Sequence, residues 1–419
     1  MPYELTSIKV QEATLGNGED VTATVVPQDS SHQDSPKIVG AIKEGLPPPP
    51  PKKVRNQAID FVRGLAIVVM LQANITPYVH HLEHPHIILR PIYSMAAPTF
   101  IFLSGYSACA FHKKAPDISS VLGWFSIFFN FNVQRVWFAA VYVDVIAWIL
   151  YPLHSFDVLY VIGCGILTHG VFLRYDIKIQ HAAYAIWFAA WVAIRYSVPY
   201  NFDLEDVSFE DLPAVPSAKH FFYRSLQQLF VSGWFPWFPW LLVAWSGGYF
   251  ARLKLLRPAD APLWFRALTV SVFIITLVLY LYNGGTVNGV SVNGEKGDGD
   301  GEGYEEIFYP VTLHFFFFCQ SCTVSLIWAT SWLEQKLEGS WLEVHPMVPF
   351  VVLGRNSLFV YIWHSMFISY FFLIASATKK AGGAYVLLLT VVLFSCYAKE
   401  YFIKDVKKMP TIVRLITGI

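Results

Sequence analysis

Residues 57–107 read QAIDFVRGLAIVVMLQANITPYVHHLEHPHIILRPIYSMAAPTFIFLSGYS, and the rest of the chain is organised around them. Two apolar runs, each about long enough to cross a bilayer, are joined by a polar turn that carries His80, His81, His84 and His86. Asp60 and Arg63 open the first run, and Asn74 lies within it. Charged and amide groups in hydrocarbon are expensive, so they mark a lined cavity or a reaction site.

Composition assigns the class. The 419-residue chain is 55% hydrophobic, 17% aromatic and only 14% charged, whereas soluble domains are about a quarter charged. Lys plus Arg and Asp plus Glu are 30 each, so no basic excess points to nucleic acid. The five cysteines, Cys109, Cys164, Cys319, Cys322 and Cys396, lie in apolar runs, against a disulfide scaffold. The Cys319-x-x-Cys322 pair has no second Cys pair and no ligand-spaced His, so it reads as buried packing and no metal is expected.

Three segments follow. Residues 1–55 are polar and aperiodic, end in a proline run before Lys52-Lys53, and are expected to be a disordered cytoplasmic tail. The tail has no signal-peptide core, so the first span is expected to act as its own insertion signal. Residues 56–403 form the transmembrane domain and 404–419 a cytoplasmic C-terminal tail. Apolar run lengths give an all-α integral membrane bundle of about ten helices, near 58–78, 89–111, 134–152, 157–174, 181–197, 232–252, 265–283, 308–332, 348–375 and 383–403. Asn130 and Asn132 interrupt 118–133, which reads as an interfacial or re-entrant helix.

Bases fix the orientation. With the N-terminus inside, the cytoplasmic side receives Arg55, Lys113, Lys114, Arg174, Lys178, Arg252, Lys254, Lys404, Lys407 and Lys408. The other side receives the acidic connection 202–211 and the Gly/Asp/Glu loop 284–306, while Lys379-Lys380 runs against the trend. Both termini are then cytoplasmic, and the histidine turn faces the lumen or exterior.

Several polar groups could carry chemistry. Asp60-x-x-Arg63 is either an interfacial anchor pair or a cation aimed at a phosphate-bearing cofactor. The histidine turn is either a solvated loop or a source of a general base. Arg135 opens the third span, Asp157 the fourth, and His314 sits at the outer end of the eighth. Ser104 lies in the second span; Arg355, Asn356 and His364 lie on the ninth, where Asn356 and His364 are two helical turns apart and share a face. Each could be a structural interhelical hydrogen bond; together they describe a polar interior.

AIDFVRGLAIVVM, ILRPIYSMAAPTFIFLSGYSA, VQRVWF, FDVLYVIG, FPWFPWLLVAWSGGYF, YPVTLHFFF and LGRNSLFVYIWH occur in the order and spacing of one family. Over residues 56 to 375 the chain resembles the heparan-α-glucosaminide N-acetyltransferase-like transmembrane acyltransferases. The family's DxxRG is present as Asp60, Arg63 and Gly64, and its PxFxFLxG as Pro98, Phe100, Phe102, Leu103 and Gly105. Asn74 is similar to the Asn of the lysosomal branch, whose catalytic His lies in the next luminal turn, matching His84 here with His81 and His86 nearby. That branch's flanking Trp and Gly are missing, and Ser94 stands where it has an Asp.

The resemblance implies transfer of an acyl group, acetyl above all, from cytosolic acyl-CoA to a hydroxyl or amine of a sugar-like acceptor across the membrane. His84 would be the base and Asn74 the oxyanion donor, while Asp60, Arg63, Arg135 and Arg355 would serve the CoA phosphates. Expected partners are acyl-CoA, the acceptor, membrane lipid and a second copy in a homodimer, in an endomembrane or the plasma membrane. A polar-solute transporter and a catalytically degenerate relative remain alternatives.

Overall fold

The computed structural model describes residues 56–79, 89–111, 121–147, 156–172, 174–197, 226, 229–230, 235–282, 311–336, 347–378, 381–403 and 409–410. Among the described residues the chain is all-helical, with no strand, and they belong to one compact unit, Arg55–Ile419. The N-terminal tail, the histidine turn 80–88 and the loops 202–211 and 284–306 lie outside the described residues.

The helices are α1 (Gln57–Val79), α2 (Leu89–Tyr93), α3 (Ala96–Phe111), α4 (Val121–Phe128), α5 (Phe131–Tyr142) continued by a π-helical turn (Val143–Ala147), α6 (Val158–Phe172) and α7 (Ile177–Ser197). Then come α8 (Trp237–Arg252), α9 (Leu263–Tyr282), α10 (Leu313–Lys336), α11 (Val348–Arg355), α12 (Ser357–Thr378) and α13 (Ala381–Phe402). Among the described residues four helices are long and apolar enough to cross a membrane: α7, α9, α10 and α13. They coincide with the expected spans 181–197, 265–283, 308–332 and 383–403.

Local chemistry explains the helix ends. Asn56 caps α1, its Oδ1 accepting from Ile59 N at 3.2 Å, and Asp60 sits in the positively poled first turn. Asn130, extended, accepts from Asn132 N at 2.9 Å and so starts α5, which is why the described part of 118–133, residues 121–133, is two helices, α4 and the head of α5, and not one. Thr312 caps α10 by accepting from Phe315 N at 3.1 Å. In FPWFPW, Phe238 has non-helical angles (φ −94, ψ 113), so α8 enters through a kink.

Two expected single spans are broken. Residues 89–111 divide at Ser94–Met95 into α2 and α3. Residues 348–375 divide at Asn356 (φ −103, ψ 20), whose side chain takes the Val352 carbonyl at 2.8 Å. That break puts Asn356 and His364 on different neighbours, although their spacing alone gives them one face.

Two helix crossings are made through glycine. A methyl at Gly64 would collide with the carbonyl oxygen of Phe350, and one at Gly354 with that of Asp60. A methyl at Gly105 would collide with the Ala244 carbonyl, and one at Gly247 with that of Phe102. In each pair every glycine meets the carbonyl one turn before its opposite number, the pattern of two parallel helices at van der Waals backbone contact. Helix association in lipid depends on such packing, since apolar surface gains little there. α1 with α11, and α3 with α8, are accordingly the most extensive helix pairs in the fold. One apolar core centres on α3, α6, α8 and α10 (Phe102, Val161, Trp240, Phe316), and another on α1, α11, α12 and α13 (Ile67, Leu71, Val360, Leu388). Helix α10 is mostly buried, whereas α7, α9 and α13 present apolar side chains outward.

Gly64→Val and Gly247→Val should each lower the melting temperature in detergent, because overpacking a tight contact costs about 1–3 kcal/mol and here the obstacle is backbone. Gly382→Ala, whose new methyl meets nothing within 4 Å, should leave the melt unchanged or raised. Equal losses in all three variants would contradict the crossing.

Candidate active site

The α1–α11 crossing brings charges together at the start of α1. Asp60, only 2% exposed, accepts from Arg63 Nη1 at 3.1 Å, and Arg355 Nε stands 4.0 Å from its other oxygen. Arg63 Nη2 also donates to Ser107 Oγ at 3.0 Å on α3, and that hydroxyl donates to the Leu103 carbonyl at 2.9 Å. The cluster therefore joins three helices, α1, α3 and α11, and Arg63 is not a loose interfacial anchor. Two guanidiniums thus face the Asp60 carboxylate.

A second charged group lies alongside. Asn356 Nδ2 donates to Glu400 Oε1 at 2.9 Å, and Lys399 Nζ stands 4.9 Å over the Phe359 ring. Arg135 on α5 is near enough to bear electrostatically on Lys399.

Farther along α1 lies an uncharged amide with a buried imidazole. Asn74 Nδ2 and His364 Nε2 are 3.0 Å apart, and His364 Nδ1 is 3.3 Å from the Val360 carbonyl. A carbonyl can only accept, so Nδ1 carries the proton and Nε2 accepts from Asn74. The edge-to-face ring of Tyr361, centroid 5.0 Å away, abuts the imidazole. The Tyr361 hydroxyl donates to Asp157 Oδ2 at 2.5 Å, and Asp157 Oδ1 accepts from Val158 N at 2.6 Å. Asp144, on the π-helical turn and fully buried, accepts from Tyr160 at 2.7 Å and bears electrostatically on Asp157. Local π-helix often accompanies function. Carboxylates buried among apolar helices need such donors to be tolerable.

Gly64 to Asn74 and Gly354 to His364 are the same ten-residue step, about 15 Å of helix rise. The glycine crossing therefore sets the register that meets at Asn74–His364.

The structure thus brings Asp60, Arg63 and Arg355 together, and joins Asn74 through His364 and Tyr361 to Asp157. Among the described residues it bonds Ser104 within its own helix, to the Ile101 carbonyl at 2.7 Å. His314 Nε2 clamps the Thr276 carbonyl at 2.6 Å, tying α10 to α9 away from either cluster. His84 and His81 lie outside the described residues. Sequence reasoning passed over Ser107, Asp144, Tyr160, Tyr361, Lys399 and Glu400. The last two were detectable as a charged pair inside an otherwise apolar run; Ser107 and Ser104 are indistinguishable without the register. Among the described residues no group of three or more His, Cys, Asp or Glu could hold a metal, and the cysteines are free thiols.

These features define a helical membrane protein with an internal polar site. The family described as heparan-alpha-glucosaminide N-acetyltransferase, catalytic, matches residues 55–282, more than half of the chain. The chain belongs to this family, and with it to the membrane acetyltransferases. Among curated proteins the chain has no match. The matched residues carry Asp60, Arg63, Asn74, Arg135 and Asp157; Arg355, Tyr361 and His364 lie beyond them, on helices that the first part of the chain grips through Gly64 and Asn74.

Asp60→Ala should destabilise the protein by about 3–5 kcal/mol, the cost of leaving a buried ion pair without its anion. Asp260→Ala, which removes an exposed partner 4.0 Å from Arg257, should cost less than about 1 kcal/mol. Unfolding measured in one detergent orders the two; equal effects would mean the Asp60 cluster is not buried in the working protein.

Proposed function

We propose that the protein is an integral-membrane acyltransferase that moves an acetyl or other acyl group from cytosolic acyl-CoA to a hydroxyl or amine of a carbohydrate-like acceptor on the far side. The observation that carries this reading is the arrangement along α1: guanidiniums at its start, and an amide–imidazole pair about 16 Å along the helix from Arg63. CoA bears its phosphates and its thioester at opposite ends of an extended arm, so cations at one depth and polar acyl chemistry at another suit it.

In this reading Arg63, Arg355 and Arg135 receive CoA phosphates, with Asp60 holding the first two in place. His84, with His81 as its alternative, accepts the proton of the acceptor hydroxyl or amine while the freed lone pair attacks the thioester carbon. Asn74 donates a hydrogen bond to the oxygen as it gains charge. Collapse of the tetrahedral adduct breaks the carbon–sulfur bond, and the proton held by the histidine leaves with CoA as the free thiol.

The chain would cross the membrane about ten times with both termini cytoplasmic. Helix directions support this: the parallel pairs α1 with α11–α12, and α3 with α8, join spans of equal parity. Contacts between span ends agree as well. Arg63 with Ser107, Asn356 with Glu400, and Trp328 with the Leu255 carbonyl each join ends that the count puts on the cytoplasmic side. The outward apolar faces of α9 and α13 would meet lipid, and the disordered-tail and C-terminal assignments of 1–55 and 404–419 complete the layout.

Purified protein given acetyl-CoA and an amino sugar such as glucosamine should release free thiol in step with acetylated sugar. His84→Ala should abolish that release while the protein still binds acetyl-CoA. Full turnover in His84→Ala would move the base to another residue. A solute carrier is favoured over this reading only by the two buried carboxylates, Asp144 and Asp157, and uptake of glucosamine into vesicles without CoA would establish it.

A further inference from the structure

We propose that His364 is a positioning residue for the acyl transfer: it holds the Asn74 amide so that the second N–H of that amide faces the developing oxyanion. This rests on the acyltransferase reading above and adds to it a residue on a helix that the family match does not reach.

A primary amide can sit in its slot two ways round, presenting NH₂ or oxygen to the same neighbour. Only one of them stabilises an oxyanion; the other points an oxygen lone pair at it. The partner decides. His364 Nδ1 faces a carbonyl, so its Nε2 carries a lone pair. A lone pair accepts from NH₂ and repels Oδ1, and Nε2 is 3.0 Å from Asn74 Nδ2. One amide hydrogen is thereby committed to His364, and the geometry of the planar amide fixes the direction of the other.

The imidazole that makes this choice is itself held. His364 is 2% exposed and lies edge-to-face with Tyr361. The Tyr361 hydroxyl is bonded to Asp157 at the head of α6, whose other oxygen is bonded to the Val158 amide. Three helices, α1, α12 and α6, therefore converge to fix one amide. A bond that served only to tie α1 to α12 would need neither this tautomer nor the Tyr361–Asp157 support.

The test uses the full-length protein in detergent with acetyl-CoA and glucosamine, comparing wild type with His364→Ala, His364→Gln and Asn74→Ala. Loss of an oxyanion donor costs about 10²–10³ in kcat. His364→Ala should therefore lose about 10²-fold or more in kcat with the KM for acetyl-CoA unchanged. His364→Gln should recover most of the loss, because its Oε1 also accepts from NH₂. The Asn74→Ala/His364→Ala double variant should be no slower than Asn74→Ala, since both act through one group. An active wild type with His364→Ala at wild-type kcat, or with only its KM changed, overturns the inference alone. A wild type that never releases thiol sinks the acyltransferase reading, and this role with it. A readout without turnover covers variants that fail to fold: in wild-type protein labelled with ¹⁵N-histidine, His364 Nε2 should carry no proton. A protonated Nε2 there overturns the proposal.

Discussion

Backbone contact between α1 and α11 is the constraint on which the remaining arrangement depends. With glycine at positions 64 and 354 the two helices approach until backbone meets backbone, and their relative register is then fixed to within one residue. Fixed register has consequences at both ends of α1. Near its start it places Arg355 on Asp60; a ten-residue step along both helices it places His364 on Asn74. The second crossing, through Gly105 and Gly247, does the same for α3 and α8 and so holds Ser107 where Arg63 can reach it. Side chains of any size at these glycines would separate the helices and lose both polar groupings together.

The second governing effect is the cost of charge among apolar helices. Asp60, Asp144 and Asp157 are all buried, yet each has donors: a guanidinium, a tyrosine hydroxyl, or a hydroxyl plus a backbone amide. None of these donors comes free, since each must be ordered, and a scaffold without a site would be more stable with apolar residues in their place. Among the described residues this cost is concentrated along α1, α6 and α12 and spares the outward faces of α9 and α13, which separates a polar interior from apolar outer surfaces.

Much of this was legible in the sequence, for physical reasons that also mark the limit. Apolar run length announced nearly every long helix, because crossing or filling an apolar slab requires it. Asp60, Arg63, Asn74, Asp157 and His364 stand out in the sequence because polar groups in such runs are rare. Their pairing was not: Asn74 and His364 are far apart in the chain, and only the Gly64–Gly354 register joins them. The choice of Ser107 over Ser104 as the partner of Arg63 depends on the same register. The break at Asn356 escaped notice because an asparagine inside an apolar run carries no proline-like signal, although its amide competes for the Val352 carbonyl and interrupts the helix. Lys399 and Glu400 form a charged pair inside an otherwise apolar run; Glu400 holds Asn356, and Arg135 bears electrostatically on Lys399.

The central claim is that a cationic mouth at the start of α1 and the amide–imidazole pair farther along it belong to one substrate. A structure of the purified protein with a non-hydrolysable acetyl-CoA analogue tests it most directly. The account predicts phosphates against Arg63 and Arg355, with the acyl carbonyl oxygen within hydrogen-bond distance of Asn74 Nδ2. An analogue bound elsewhere, or one whose acyl end points away from Asn74 and His364, would contradict it.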